Sequence, residues 1–174
     1  MDQLEFDVSN LVQASTGTSE QYAIETDLHL EGITAESLLK TTIEIMRMED
    51  GFNISAEDFS LDIEVNCMRC LEPYRYTVNV GHAERQFYFE APEDEKDQAD
   101  VYTVDTKHQK VDISEMIRQE ILLHYPANQV CSDRCKGICQ ICGKDRNKEQ
   151  CDCKEQEFTP EDQKPLAKLK DLLK

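Results

Sequence analysis

The sequence has no long apolar run and no basic, apolar leader at its amino terminus. Its longest uninterrupted apolar stretches are three residues long, such as those at 87–89 and 121–123, whereas a membrane-spanning helix needs about 20. The first residues are polar and acidic, so a secretory signal is not indicated. We therefore expect a cytoplasmic protein without a membrane segment, in a compartment where thiols stay reduced.

Basic residues are scarce: 19 Lys and Arg stand against 36 Asp and Glu, a formal net charge of -17. Cations that neutralise phosphates supply nonspecific nucleic-acid affinity, so tight autonomous RNA binding is disfavoured. Only residues 67–89 and 131–153 are mildly basic. If RNA is contacted, we expect six cations there to contact it: Arg69, Arg75, Arg134, Lys136, Lys144 and Arg146. The acidic remainder either keeps the protein soluble or docks on a basic protein.

Recognisable catalytic motifs are also lacking. The sequence contains no phosphate-cradling glycine motif and no metalloprotease signature, and its four histidines are scattered. Isolated histidines of this kind are more typical of ordinary strand, loop or helix-end positions than of ligands. We expect no enzyme, no catalytic residue and no small-molecule substrate.

Cysteine, in contrast, is abundant and clustered. Six of the eight cysteines follow the pattern Cys131-x3-Cys135-x3-Cys139-x2-Cys142-Gly143-x8-Cys151-x-Cys153, and the other two form Cys67-x2-Cys70. Tetrahedral zinc needs thiolates about 3.7 Å apart, which a two-residue spacer supplies within one tight turn. A glycine directly after such a knuckle accepts the positive φ that the turn tends to demand. Structural disulfides are the rival interpretation, which a reducing compartment disfavours.

The spacing suggests how the cysteines divide. We predict one structural zinc site, and its ligands are Cys139, Cys142, Cys151 and Cys153, because residues two apart in an extended chain point to the same side. A second site, if it exists, is made by Cys67, Cys70, Cys131 and Cys135. Two other interpretations stay open for Cys67 and Cys70: Cys67 is a buried packing residue, or the two cysteines form a redox pair.

Alternating apolar residues predict strands through most of the first hundred residues, as in Leu61, Ile63 and Val65, and Asp50-Gly51 predicts a hairpin. The predicted fold class is α+β. An antiparallel β-meander or barrel-like domain spans 1–126, with an acidic loop at 90–110 and a helix at 112–124. Residues 127–174 form a cysteine-rich zinc-binding module with a C-terminal helix.

Taken in order, these motifs resemble the YceD family, the large ribosomal RNA subunit accumulation proteins. The resemblance covers roughly residues 60–174, and its parts are the 67–73 hairpin, the acidic loop, the helix ending at 121–126, the cysteine pattern and the leucine-bearing tail. It implies a non-enzymatic ribosome-biogenesis factor that supports accumulation or processing of large-subunit ribosomal RNA, acting on the RNA precursor.

Two alternatives remain beside that resemblance. One is a zinc-stabilised adaptor whose acidic face holds a basic ribosomal or assembly protein without touching RNA. The other is a thiol redox or metal-responsive switch that uses Cys67 and Cys70.

Overall fold

The computed structural model describes residues 4–92 and 101–153, which form two compact units. The described part of the first unit comprises residues 4–67, 72–92 and 101–131, and that of the second comprises 68–71 and 132–153. No helix in these described residues is long and apolar enough to cross a membrane. The predicted C-terminal helix lies outside the described residues, and the predicted division at 126 and 127 stays a prediction.

The first unit is mostly β-sheet with few helices, in agreement with the predicted α+β class at that coarse level. Its elements in chain order are β1 Glu5–Asp7, α1 Ser9–Val12, β2 Ser19–Thr26, β3 His29–Leu30, β4 Ile33–Ala35, β5 Leu39–Arg47, β6 Gly51–Ala56, β7 Phe59–Asn66, β8 Pro73–Val80, β9 Ala83–Tyr88, β10 Tyr102–Thr103, β11 Lys110–Asp112 and α2 Ser114–Leu123.

The strands pair in three sheets rather than in one meander. One sheet has the order β10-β9-β6-β5-β2, another has β3-β4-β7-β8, and β1 pairs with β11. Consecutive strands β6 and β7 therefore lie in different sheets, and β10 runs parallel to β9 instead of antiparallel. The prediction of a single antiparallel meander is therefore wrong. Alternation identifies which side chains face the core, but it does not specify which strands pair with one another.

Both larger sheets and α2 contribute to one hydrophobic core. Along β7 the buried side chains alternate with more exposed ones, and the alternation continues one step beyond the strand to buried Cys67. Met116, Ile117 and Ile121 of α2 are also fully buried. Each such side chain stabilises the fold by roughly 1.5–3 kcal/mol when it leaves water. Cys67 follows directly after β7 and is itself buried.

The predicted hairpin at Asp50-Gly51 is confirmed by the antiparallel pairing of β5 with β6. The N–H of Met48 donates to the carbonyl oxygen of Gly51 over 2.9 Å. A Cβ atom on Gly51 would lie 1.8 Å from the carbonyl oxygen of Phe87 in β9. Only glycine fits at this close approach of two strands.

The helix predicted at 112–124 begins later, at Ser114, and ends at Leu123. Asp112 precedes the helix and accepts a hydrogen bond from the Ser114 N–H at 2.8 Å, and Glu115 forms an ion pair with Arg118. The predicted acidic loop also contains structure, because Tyr102 packs against Phe87 at 5.0 Å between ring centroids and forms β10. In the sequence, the aromatic residue Tyr102 inside a charged segment was the signal that could have indicated this strand.

The second unit is organised by a short hairpin. Ile138 and Asp145 form an antiparallel bridge, and the N–H of Arg146 donates to the carbonyl oxygen of Gly137 at 2.9 Å. The N–H of Ile138 donates to the carbonyl oxygen of Arg69 at 2.9 Å, which joins residues 68–71 to this hairpin. Gly137 has φ +69°, and a Cβ atom there would lie 2.9 Å from that same carbonyl oxygen.

Candidate metal centres

The Cys139–Gly143 segment forms the tight turn that the spacing predicts. The N–H of Gly143 donates to the carbonyl oxygen of Cys139 at 2.9 Å, and the N–H of Cys139 donates to the carbonyl oxygen of Lys144 at 2.8 Å. Gly143 has φ +73°, the left-handed conformation expected directly after a metal-binding knuckle. Open space surrounds its missing Cβ, so the requirement for glycine here is conformational and not steric.

Four thiols converge at this turn. We call them the knuckle cluster: Cys139, Cys142, Cys151 and Cys153. Their sulfur atoms all lie within 4.8 Å of one another. A zinc ion with Zn–S bonds of about 2.3 Å needs sulfurs about 3.7 Å apart, a spacing that lies within this limit. All four donors are thiols, the set typical of a structural zinc site.

The electrostatics of the knuckle cluster favour a bound cation. Backbone N–H groups of Cys142 and Ile141 point at the Cys139 sulfur and, with its thiol neighbours, lower the pKa of Cys139 to about 6. Hydrogen bonding to Cys139 raises the pKa of Cys151, and hydrogen bonding to Cys142 raises that of Cys153 to about 12. Thiolates this close repel one another, and a divalent ion removes that repulsion while it displaces the protons.

The remaining four thiols make up the second predicted ligand set, which we call the hairpin cluster: Cys67, Cys70, Cys131 and Cys135. Cys67 and Cys131 belong to the first unit and Cys70 and Cys135 to the second, and all but Cys131 are buried. The knuckle cluster has the members of the first predicted ligand set, and it fits one divalent ion by donor type and separation. That either cluster binds zinc stays a prediction.

Sequence reasoning missed Asn147, which supports one of these thiols. Its side-chain amide lies 3.5 Å from the sulfur of Cys135, and its Oδ1 accepts a hydrogen bond from the Lys136 N–H at 2.8 Å. Amide donors that hold a ligating sulfur tune its basicity and orientation. Asn147 lies between the spaced cysteines, so the cysteine pattern gave no indication of it.

The structure separates the six cations predicted to contact RNA. Arg69, Lys136 and Arg146 line one groove of the second unit. Arg75, in β8, forms ion pairs with Glu36 and Asp62. Lys144 forms an ion pair with Glu149 at 3.2 Å, and Arg134 is exposed. RNA contact by any of the six stays a prediction, but only the first three share a surface feature.

Comparison with known proteins decides the family. Residues 58–173 match the model of the family described as "Large ribosomal RNA subunit accumulation protein YceD". The chain belongs to the YceD family. The matched region begins beside β7 and includes all eight cysteines and the three groove cations, whereas β1 to β6 lie outside it. The resemblance inferred from the motifs is thereby confirmed.

One relative of this YceD-family chain is a protein of Arabidopsis thaliana named "Large ribosomal RNA subunit accumulation protein YCED homolog 1, chloroplastic". The two are 40% identical over 48 residues, which is 28% of this chain. The aligned stretch spans only 15% of the relative's own length. No solved structure matches this chain.

Proposed function

We propose that this protein is a non-enzymatic ribosome-biogenesis factor that supports accumulation or processing of large-subunit ribosomal RNA, and that structural zinc holds its cysteine-rich unit in shape. The observation that carries the proposal is the family match over residues 58–173, whose description names large ribosomal RNA, together with the two four-thiol groups inside it. We place its action in the cytoplasm, where a precursor of that RNA or a basic ribosomal protein is the partner.

The make-up of the second unit supports a folding role for the metal. Within residues 68–71 and 132–153, the buried apolar side chains are Cys70, Cys135 and Cys139 alone. Aliphatic and aromatic side chains that would build a conventional core are not among them. A segment this small needs metal or covalent cross-links to stay folded, and zinc binding free energy then becomes folding free energy.

The same donor sets argue for structure rather than catalysis. Catalytic zinc keeps a coordination position open for water or substrate, whereas four thiolates close the tetrahedron. Each cluster offers four sulfurs, one from each cysteine. When bound, zinc would supply charge balance and cross-linking there, and the protein's own residues would supply any contact with a partner.

A deletion strain tests the proposal. Loss of the protein should lower large-subunit ribosomal RNA relative to small-subunit RNA, measured by quantitative hybridisation and by subunit profiles in sucrose gradients. Complementation with Cys142→Ser should restore little, because one ligand of the knuckle cluster is lost. Complementation with Ser132→Ala, at an exposed position of the same unit, should restore the ratio. A normal RNA ratio in the deletion strain would refute the proposal.

The adaptor hypothesis keeps a specific observation in its favour. The first 66 residues carry fifteen acidic side chains against two basic ones, and of the acidic ones Glu36 and Asp62 pair with Arg75. A purified basic ribosomal protein would then bind without RNA, and binding would weaken steeply with salt. The thiol-switch hypothesis instead requires reversible oxidation of Cys67 and Cys70 in the isolated protein.

A further inference from the structure

Strand β2 lies at one end of the five-stranded sheet, and its outer edge is open in the part of the first unit that the structure describes. We infer that this edge binds an extended, cationic peptide segment of a protein partner, which adds to the sheet as a further antiparallel strand. The partner is the basic protein of the proposed function, and to that extent the inference rests on it.

The register of the sheet shows which backbone groups of β2 face the open edge. The carbonyl oxygen of Thr42 in β5 accepts the N–H of Glu57, just beyond β6, at 2.9 Å. The N–H of Arg47 in β5 donates to Thr18, just before β2, at 2.8 Å. Even-numbered residues of β5 therefore bond to β6 and odd-numbered ones to β2, where the register sets even-numbered residues opposite them. The N–H and carbonyl groups of the odd-numbered β2 residues point outward, and among the described residues no backbone group bonds to those of Gln21, Ala23 and Glu25.

Apolar side chains on the inner face of β2 are left partly in water at this edge. Tyr22 and Ile24 pack against the hydrophobic core, yet each is only half-buried. Ile43 of β5, directly opposite Tyr22, is fully buried. A further strand would cover Tyr22 and Ile24 and extend the core by one strand, so its side chains on that face should be apolar.

The charge around β2 selects a cationic strand. No Lys or Arg precedes Lys40 in the sequence. Glu25 pairs with Lys40 at 2.7 Å, whereas Glu20 accepts a hydrogen bond from the Tyr22 hydroxyl and forms no ion pair among the described residues. Burial, that hydrogen bond and the charges of Glu20 and Asp7 raise the pKa of Tyr22 to about 12. A cationic segment would reduce this negative potential, whereas an acidic one, including β2 of a second copy of the chain, would be repelled.

The other long edge strand of the first unit has different chemistry. Strand β8 also has eight residues, and it ends the four-stranded sheet. It begins with Pro73, and it contains Arg75, which pairs with Glu36 and Asp62. Proline and cations are common means of blocking a sheet edge, and Arg75 would repel a cationic strand. Because β2 contains neither proline nor a cation, it is the edge of the two that accepts such a strand.

The test titrates the full chain with the fluorescent peptide Lys-Val-Thr-Val-Thr-Val-Thr-Lys and follows its anisotropy. In an antiparallel pairing the valines cover Tyr22 and Ile24, and the last Lys lies opposite Glu20. This peptide should bind about tenfold more tightly than the version with Glu in place of Lys, and the difference should shrink as salt rises. The three threonines then lie opposite Gln21, Ala23 and Glu25 and donate to their carbonyl oxygens. N-methylation of the threonines should therefore weaken binding about a hundredfold, whereas N-methylation of the valines should be tolerated.

Protein variants supply the matched control. Glu20→Gln keeps the acceptor for the Tyr22 hydroxyl, removes the charge and should weaken binding about threefold to fivefold. Glu49→Gln removes an equal charge from the exposed turn between β5 and β6 and should leave binding unchanged. Equal affinity for the Glu peptide, equal losses in the two N-methylated peptides, or self-association of the chain that Glu20→Gln strengthens would overturn the inference. A failed titration beside a lowered RNA ratio in the deletion strain overturns this inference alone, whereas a normal RNA ratio refutes the proposed function.

Discussion

Gly137 and Gly143 offer a matched pair for testing what holds the second unit together. Both have left-handed backbones, with φ +69° and +73°. They differ in their surroundings: a Cβ atom at Gly137 would lie 2.9 Å from the carbonyl oxygen of Arg69, whereas nothing lies within 4 Å of one at Gly143. Alanine at either position meets the same conformational cost, and alanine at Gly137 also collides with backbone.

The magnitudes follow from those geometries. A left-handed conformation costs a non-glycine residue roughly 1–2 kcal/mol, which alanine at Gly143 should show alone. At Gly137 the Arg69 carbonyl must shift, and that carbonyl accepts the hydrogen bond from Ile138 N–H, worth about 1 kcal/mol net. Adding the steric contact, we expect Gly137→Ala to cost about 2–4 kcal/mol in total, which lowers the folding equilibrium constant about 5- to 30-fold more than Gly143→Ala does.

Two measurements check the pair. Competition with a chelator gives the apparent zinc affinity of each variant, which should fall further in Gly137→Ala because metal binding and folding of this unit are coupled. Amide hydrogen exchange at Ile138 reports directly on its bond to the Arg69 carbonyl, and protection should drop further in Gly137→Ala than in Gly143→Ala. Equal losses in the two variants would refute the steric argument, since the conformational cost alone would then suffice.

Three further predictions concern the same fold and sites. Gly51→Ala should unfold the first unit or cost more than about 4 kcal/mol by denaturant titration, because its Cβ would overlap Phe87, whereas Gly81→Ala, with 3.9 Å to its nearest neighbour, should cost under about 1 kcal/mol. Asn147→Asp keeps the acceptor for Lys136 N–H but removes the donor to the Cys135 sulfur, and zinc affinity should fall about 10–100-fold. Zinc affinity of the knuckle cluster should rise with pH through neutrality, because two of its thiols have raised pKa values and must release protons to bind metal. If a chelator titration gives the same zinc affinity at every pH, this third prediction is wrong.

Short-range chemistry made much of this protein predictable from its sequence. The alternation in Leu61, Ile63 and Val65 identified β7 as a strand with one buried face, and Asp50-Gly51 identified the hairpin between β5 and β6, because both signals depend on near neighbours in the chain. The grouping of the eight thiols into two sets of four likewise followed from spacing. Strand pairing did not, since β6 joins β9 rather than β7 through contacts that no local pattern encodes.

The groove was beyond sequence reasoning for the same physical reason. Arg69 was grouped with five other cations by charge alone, and only the hydrogen bond from Ile138 N–H to its carbonyl places it beside Lys136 and Arg146. Lys144 has the same charge and lies in the same unit, yet its ion pair with Glu149 gives it a different environment. Charge alone does not distinguish these cations from one another, whereas their tertiary contacts determine which of them lie together.

The joining of residues 68–71 to the 132–153 segment has a consequence for synthesis on the ribosome. Arg69 and Cys135, which share a hydrogen bond, are 66 residues apart in the chain. At translation rates of about 5–20 residues per second, roughly 3–13 s pass between their appearance. During that interval the thiols of Cys67 and Cys70 have emerged before those of Cys131 and Cys135, so nascent chains are open to premature oxidation or capture of the wrong metal until the second half arrives.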